Sequence, residues 1–203
     1  MTGQRKERPI LFNAEMVNAI LSGRKTQTRR IVKCNFQDIG FNHDMGQEWP
    51  WSEDCEHAED YWHPCPLGKP GDQLWVRETF GQYRAAPSGF VYRADGELSC
   101  GDPERWTPSI HMPRRASRIN LLITGVRVER LNDISEQDAK AEGAQQYDIN
   151  RFTTDEINLL DTPLNNLDTP YTNGFALLWE SCYGSGSWAV NPFVWVIDFE
   201  KTN

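Results

Sequence analysis

Six stretches of the chain carry the pattern of β-strands, in which apolar and polar residues alternate or β-branched and aromatic residues cluster. We predict strands at residues 8–12, 26–33, 73–80, 90–93, 119–131 and 193–200. The last of them, FVWVIDFE, is apolar at six of its eight positions. It therefore predicts a strand that is buried within a sheet.

Three other stretches have the spacing of amphipathic helices. Residues 14–22 follow Asn13, a favourable N-cap residue. A shorter helix is predicted from Ser135 to Glu142, and apolar residues at i, i+3, i+4 and i+7 mark a third around 175–182. These elements predict an α+β fold. A small mixed β-barrel with short flanking helices fits them better than a parallel doubly wound sheet.

Two acidic segments interrupt this pattern. Residues 34–65 carry eight acids and no Lys or Arg, and residues 144–171 carry five acids and one arginine. The whole chain has a net charge of −8, which by itself argues against a nucleic-acid partner. Without the two segments, 20 basic and 16 acidic residues remain, so the rest of the chain is mildly basic. We predict that 34–65 and 144–171 are irregular insertions.

The composition excludes several classes of protein. No run of about 18 apolar residues is present, and no apolar segment typical of a secretory signal follows the first residues, so we expect neither a membrane span nor export. The five cysteines have no framework spacing, which indicates reduced thiols in a cytoplasm. The G-x4-G-K-[ST] loop of nucleotide triphosphatases is missing.

A cluster of cations and hydroxyls occupies the predicted junction between the first helix and the second strand. Its sequence is Gly23-Arg24-Lys25-Thr26-Gln27-Thr28-Arg29-Arg30. This density of donors favours recognition of a phosphate or a base. The alternative is a solvated basic turn. Strand geometry alternates these side chains between two faces, although an irregular strand start would let Lys25 and Thr28 converge.

Glu142 occupies an unfavourable place for a carboxylate. It lies in the last helical turn before Gly143, where the helix dipole opposes negative charge, and Asp138 lies one turn earlier. A residue placed against local preference is a candidate for function. The alternative is an exposed glutamate whose small energetic cost has no consequence.

Weaker candidates lie elsewhere in the chain. Glu78 follows Arg77 at a predicted strand end, as part of a site or as a surface pair. Trp106 lies near basic residues, among them Arg114 and Arg115, and this combination can stack a base, although packing in the core is the simpler role.

A zinc site is a further possibility that the spacing disfavours. Cys55-x-His57 and His63-x-Cys65 have suitable ligand types, but they lack the usual C-x2–4-C spacing. We therefore predict no metal and no cofactor.

Four segments resemble the motifs of ASCH domains, and they occur in the same order. "LSGRKTQTRR" resembles the family's G-x-K-T-x-T-x-R signature, and "KPGDQLWVRETF" resembles its G-D-x-L-x-V stretch. "ITGVRVERLNDISEQDAKAEGA" and "FVWVIDFE" are similar to the strand–helix segment and the terminal strand. The resemblance is to phage and prophage ASCH proteins in particular. It implies one PUA-like barrel domain over residues 1–203, with the two acidic segments as insertions.

The resemblance also implies a function. Some small ASCH proteins are amidohydrolases that remove the acetyl group from N4-acetylcytidine, and their lysine, threonine and glutamate match Lys25, Thr28 and Glu142. Others are ribonucleases or RNA-binding modules. We therefore expect an amidohydrolase-like protein directed at a modified nucleoside or RNA, with a noncatalytic reader or a ribonuclease as alternatives.

Further residues and partners follow from this expectation. We predict that the residues contacting the substrate are Arg24, Thr26, Arg29, Arg30, Glu78, Trp106, Arg114 and Arg115. The acidic residues between 38 and 60 are a candidate surface for a host protein.

Overall fold

The structure is a computed structural model that describes residues 5–54, 59–83, 89–98, 101–147 and 169–202. These residues form a mixed α+β fold with more strand than helix, and all the predicted strands and helices are present. The helices are α1 (Ala14–Leu21), α2 (Glu136–Ala141) and α3 (Pro170–Tyr183). None of the described helices is long and apolar enough to cross a membrane.

The strands are arranged in three sheets. Those of the largest sheet are β1 (Glu7–Leu11), β2 (Gln27–Ile31), β6 (Gln73–Arg77), β10 (Asn120–Arg130) and β11 (Phe193–Thr202). The others are β3 (Asp38–Asn42), β4 (Gln47–Asp54), β5 (Glu59–Trp62), β7 (Phe80–Gln82), β8 (Phe90–Tyr92) and β9 (Trp106–Thr107).

The largest sheet has the order β1-β6-β10-β11-β2, and the smaller sheets have the orders β3-β4-β5 and β8-β7-β9. Because β1 and β2 end the order of the largest sheet, the described strands form open sheets. The predicted closed barrel is therefore not confirmed.

The chain divides into two compact units. Unit 1 draws on residues 1–26, 66–124 and 198–203, and unit 2 draws on residues 27–65 and 125–197. The single ASCH domain stays a prediction. Of the two predicted insertions, residues 34–65 belong to unit 2, whereas most of the second lies outside the described residues.

In unit 1, β1 lies parallel to β6, and Asp72 at the start of β6 fastens the two strands together. The pairing runs from Glu7 opposite Gln73 along the length of β1. Asp72 accepts hydrogen bonds from the backbone amide of Lys6 (3.1 Å) and the guanidinium of Arg8 (3.0 Å). Burial raises the pKa of Asp72, but these hydrogen bonds outweigh burial, so its pKa lies below the usual value.

The small sheet of unit 1 packs around Phe80. In β7, Phe80 pairs with Tyr92 of β8 and with Thr107 of β9. Its side chain joins a buried cluster with Tyr92, Met112 and Ala116. The hydroxyl of Tyr92 donates to the carbonyl of Ala116 at 2.9 Å, so this buried phenol is satisfied.

In unit 2, the segment at 34–65 is not irregular, so this part of the prediction was wrong. It forms the antiparallel sheet β3-β4-β5, in which Trp51 pairs with Trp62 across strands. Trp49 is buried against Trp195, with ring centroids 4.9 Å apart. Aromatic pairs stabilise these strands, and the acids and prolines between the tryptophans hide the apolar alternation that would have revealed them.

Helices α2 and α3 of unit 2 are joined by a side-chain cap. The carboxylate of Glu136 in α2 accepts hydrogen bonds from the backbone amides of Tyr171 (3.1 Å) and Thr172 (2.7 Å) in the first turn of α3. A carboxylate at a helix N-terminus satisfies unpaired amides and complements the dipole. Downstream of α2, the carbonyl of Gln145 lies so near Gly174 of α3 that only glycine fits there.

Replacing Gly174 with alanine is expected to destabilise the protein. A Cβ at this position would lie 1.9 Å from the carbonyl oxygen of Gln145. We expect Gly174→Ala to lower the free energy of unfolding by about 1–3 kcal/mol, as overpacking does. Urea denaturation measures it, with Ser181→Ala on the exposed side of α3 as control. Since alanine favours an unhindered helix by roughly 1 kcal/mol over glycine, a stabilised variant would contradict the close approach.

Asp72 is expected to make the free energy of unfolding depend on pH in the acidic range. Because its pKa is lower in the folded protein than in the unfolded chain, Asp72 stabilises the fold above the unfolded pKa, and this contribution is lost as the pH falls through the folded value. Below about pH 4 the wild type should therefore lose more stability than Asp72→Asn. Denaturation midpoints measured across that range test this. Parallel curves for the two proteins would refute it, and Asp133→Asn at an exposed position serves as control.

Candidate functional site

The predicted site residues fall in both units. Unit 2 contains Thr28, Arg29 and Arg30 on β2, together with Glu142 at the end of α2. Unit 1 contains Arg24, Lys25, Thr26, Glu78, Trp106, Arg114 and Arg115. The two sets are described separately below.

Thr28 carries a buried hydroxyl that has no hydrogen-bond partner within the part of the chain that the structure describes. The residue is 1% exposed. Leaving a buried polar group unpaired costs about 1–3 kcal/mol, and such groups in native proteins call for an explanation. A hydroxyl that waits for a ligand or a reacting group is one explanation.

Arg29 is the centre of a buried network of charges. None of its side chain is exposed, and its guanidinium contacts three carboxylates: Glu129 at 2.9 Å, Asp138 at 3.4 Å and Glu142 at 3.3 Å. It also donates to the side-chain oxygen of Gln27. A guanidinium removed from water needs such compensation, because an isolated buried charge is very costly. This predicted substrate-binding group is thus engaged by the protein's own carboxylates.

Glu142 is a buried carboxylate, not an exposed one. It is 3% exposed and is the C-cap residue of α2, where its backbone amide donates to the carbonyl of Asp138 at 2.8 Å. The helix dipole disfavours a negative charge here. The positive guanidinium of Arg29 offsets that cost and gives the carboxylate a defined position. The burial rules out the reading of Glu142 as a solvated surface residue.

A second layer holds the carboxylates around Arg29. Arg127 contacts both Glu129 and, at 3.1 Å, Asp138. The side-chain amide of Gln27 donates to the other oxygen of Asp138 at 3.2 Å. These contacts between oppositely charged side chains, together with the amide of Gln27, join β2, β10 and α2. The network therefore fixes Arg29, and through Arg29 it fixes Glu142.

The sequence analysis missed Tyr183, the last residue of α3, whose side chain is influenced by the charge of Arg30. The guanidinium of Arg30 donates to the carbonyl of Arg29 at 3.1 Å. Burial raises the pKa of Tyr183, the charge of Arg30 opposes this, and the charge of Glu142 adds to it. Tyr183 follows Trp179 at i+4, and this spacing is the signal that could have found it.

In unit 1, Glu78 forms a buried ion pair with Arg118, which the sequence analysis also missed. Glu78 is 1% exposed, and its carboxylate accepts two hydrogen bonds from Arg118 at 2.9 and 3.0 Å. Arg118 also contacts Asp95 at 2.7 Å and lies over the ring of Tyr92. Burial raises the pKa of Glu78, and the opposing influence of Arg118 does not cancel it.

Lys25 is buried in unit 1. It is 2% exposed, and its ammonium lies 5.6 Å from the centre of the Phe12 ring, within cation–π range. Its backbone amide donates to the carbonyl of Ala19 near the end of α1. By contrast, the neighbouring Arg24 and Thr26 are exposed.

The predicted aromatic and basic cluster around Trp106 has different partners in the structure. Trp106 is half-buried, with the guanidinium of Arg93 at 5.7 Å from its ring. Arg114 forms an ion pair with Glu7 at 3.1 Å and lies near the ring of Trp75. Arg115 is exposed. A base-stacking role for Trp106 stays a prediction.

The possible zinc ligands are only partly visible. Cys55 and His57 lie outside the described residues. His63 makes a hydrogen bond through Nε2 with the hydroxyl of Ser52 at 2.8 Å, and Cys65 is buried. Within the described ranges, no group of three or more His, Cys, Asp or Glu side chains could hold a metal.

Comparisons with family models, with curated proteins and with solved structures found no match to this chain. The resemblance to ASCH domains therefore stays a prediction that depends on the four sequence motifs.

Removing the charge of Arg29 is expected to destabilise unit 2 severely. Arg29→Met removes the buried cation that contacts all three carboxylates. We expect a loss of about 3–5 kcal/mol in the free energy of unfolding, the usual result of breaking a buried ion pair. Arg24→Met, at an exposed position three residues outside β2, should change it by less than about 0.5 kcal/mol. Equal urea midpoints for the two variants would contradict the assigned role of Arg29.

Proposed function

We propose that this protein hydrolyses an amide on a modified nucleobase, with N4-acetylcytidine as the type of substrate. The observation that carries the proposal is the unpartnered Thr28 hydroxyl, buried in the same unit as the Glu142 carboxylate. Arg29, which follows Thr28 in β2, contacts Glu142 and so holds the glutamate to the same strand. The resemblance to ASCH amidohydrolases assigns the same two residues to catalysis.

The chemistry of the two groups suits this reaction. Hydrolysis needs a nucleophile at the acyl carbon and a proton for the departing amine. The Thr28 oxygen attacks the acetyl carbonyl, or orients the water that attacks it. Glu142 takes the proton that this attack releases and passes it to the departing amine as the C–N bond breaks. Water then hydrolyses the acetyl ester on Thr28, or has already added to the acyl carbon, and the acetyl group leaves as acetate.

The contacts of the arginines favour a nucleoside hydrolase over a reader of phosphates. The guanidinium of Arg29 is surrounded by carboxylates, and that of Arg30 donates to a backbone carbonyl. Both cations on β2 are therefore engaged by the protein. A phosphate reader depends on available cations, and its affinity falls steeply with salt. We expect turnover of the free nucleoside to change little with salt.

The test is release of cytidine from N4-acetylcytidine by the purified protein. Thr28→Val removes the hydroxyl and keeps the shape, and Glu142→Gln removes the ionisable group. Each should lower kcat by at least about 100-fold, the scale of a lost acid–base or nucleophilic contribution. Thr124→Val, at an exposed position of β10, is the matched control and should retain activity. Turnover that persists in both site variants would remove the proposal.

A further inference from the structure

We propose that the solvent side of the sheet in unit 1, around Trp75, binds a single strand of RNA. This surface consists of unit 1 residues alone, whereas Thr28 and Glu142 belong to unit 2. Only the choice of RNA over DNA rests on the proposed function, because N4-acetylcytidine is a ribonucleoside. The surface is called the Trp75 face below, and its residues are Pro9, Leu11, Trp75, Arg77, Arg114 and Asn120.

The two units carry net charges of opposite sign. Unit 1 holds 14 of the 21 Lys and Arg residues of the chain and 10 of its 29 Asp and Glu residues, so its net charge is +4. Unit 2 holds the remainder and has a net charge of −12. Such an asymmetry within one chain points to a polyanion as the partner of the basic part. The overall charge of −8 therefore does not argue against a nucleic acid at unit 1.

The strands of unit 1 present an apolar floor to solvent. The residues on either side of Trp75 in β6 are buried, whereas Trp75 itself is half-buried on the opposite side of the sheet. In the strand register, Trp75 lies between Pro9 of β1 and Asn120 of β10. Pro9 is exposed, and Leu11, two residues further along the same side of β1, is 45% exposed. A flat ligand therefore has apolar surface to lie on.

Arg77 is a cation that the protein holds in place without neutralising its charge. Its guanidinium lies 5.4 Å from the centre of the Trp75 ring, within cation–π range. Its Nε donates to the carbonyl of Met112 at 3.1 Å, and another of its nitrogens donates to the carbonyl of Ile110. Both acceptors are uncharged, and Arg77 has no carboxylate partner among the described residues. A fixed guanidinium whose charge is uncompensated suits a phosphate group.

Arg114 provides a second cation at the same ring. Its guanidinium lies 5.8 Å from the centre of the Trp75 ring, donates to the side-chain oxygen of Asn120 at 2.8 Å and pairs with Glu7 at 3.1 Å. The side chains of Arg114 and Glu7 are 41% and 47% exposed, and an ion pair so exposed contributes little. A phosphate can therefore take the place of Glu7. The sequence analysis placed Arg114 with Trp106, whereas its aromatic neighbour in the structure is Trp75.

The combination of floor and cations fits an unpaired strand. Unpaired bases stack on aromatic rings and on guanidinium planes, and arginines beside them contact the phosphates. The bases of a duplex are stacked on one another, so a duplex would use the cations and leave the apolar floor uncovered. An acidic polypeptide would likewise satisfy Arg77 and Arg114 without supplying a planar group for the floor.

Binding of a labelled oligouridylate of about 12 nucleotides, followed by fluorescence anisotropy, tests the Trp75 face. Arg77→Met and Arg114→Met should each lower the salt dependence of log Kd by about 0.7 and weaken binding roughly fivefold at about 0.1 M salt. Glu7→Gln should tighten binding, because it releases Arg114, and a purely structural ion pair does not predict such a gain. The charge-matched controls are Lys33→Met and Asp102→Asn, both at exposed positions, and each should stay within about twofold of the wild type.

Urea unfolding checks that the variants fold, and Arg114→Met and Glu7→Gln change exposed side chains, so the test does not depend on Arg77→Met alone. Unchanged Kd and salt dependence in both arginine variants, or no binding by the wild type, overturns the Trp75 face. Equal or tighter binding of the duplex with oligoadenylate, of oligodeoxyuridylate or of polyglutamate overturns single-stranded RNA as its occupant. Binding is measured without turnover, so a protein that binds RNA here but does not hydrolyse N4-acetylcytidine keeps the Trp75 face and loses only the proposed reaction.

Discussion

The burial of the Arg29 guanidinium is the constraint on which the rest of unit 2 depends. A cation without access to water is tolerated only where carboxylates surround it, and here they come from β10 and α2. The ion pairs that surround the guanidinium therefore hold β10 and α2 to β2. It also allows Glu142 to remain at the C-terminal end of a helix, where its charge is otherwise unfavourable. The fold and the candidate site thus depend on the same ion-pair network.

In unit 1, two buried carboxylates are also paired with arginines, but their pKa values shift in opposite directions. Asp72 is bonded by backbone amides as well as by Arg8, so its charged form is favoured. Glu78 has the two hydrogen bonds from Arg118, yet its deeper burial still disfavours the charge. Against these satisfied groups the hydroxyl of Thr28 stands out, because it is buried without a partner among the described residues. That contrast is what makes Thr28 a candidate for chemistry.

The regular elements could be predicted from the sequence because their signals act over a few residues. Asn13 and Ser135 cap their helices with their own side chains, three residues from the amides they bind. The nearly continuous apolar run FVWVIDFE marks a single strand that is buried on both faces. The sheet of residues 34–65 could not be predicted in this way. It depends on contacts such as that of Trp49 with Trp195, and local composition carries no trace of a partner so far along the chain.

The sequence by itself determined the six predicted strands and the three predicted helices, the excess of acid in two segments and the position of Glu142 at a helix end before a glycine. Only the tertiary structure decided which groups are buried and paired. Arg29 and Glu142 are 113 residues apart in the chain. The sequence analysis assigned Arg29 to the substrate because no residue close to it in the sequence indicates a carboxylate partner. Burial and long-range pairing are properties of the packed chain, whereas helix caps and strand alternation are properties of short segments.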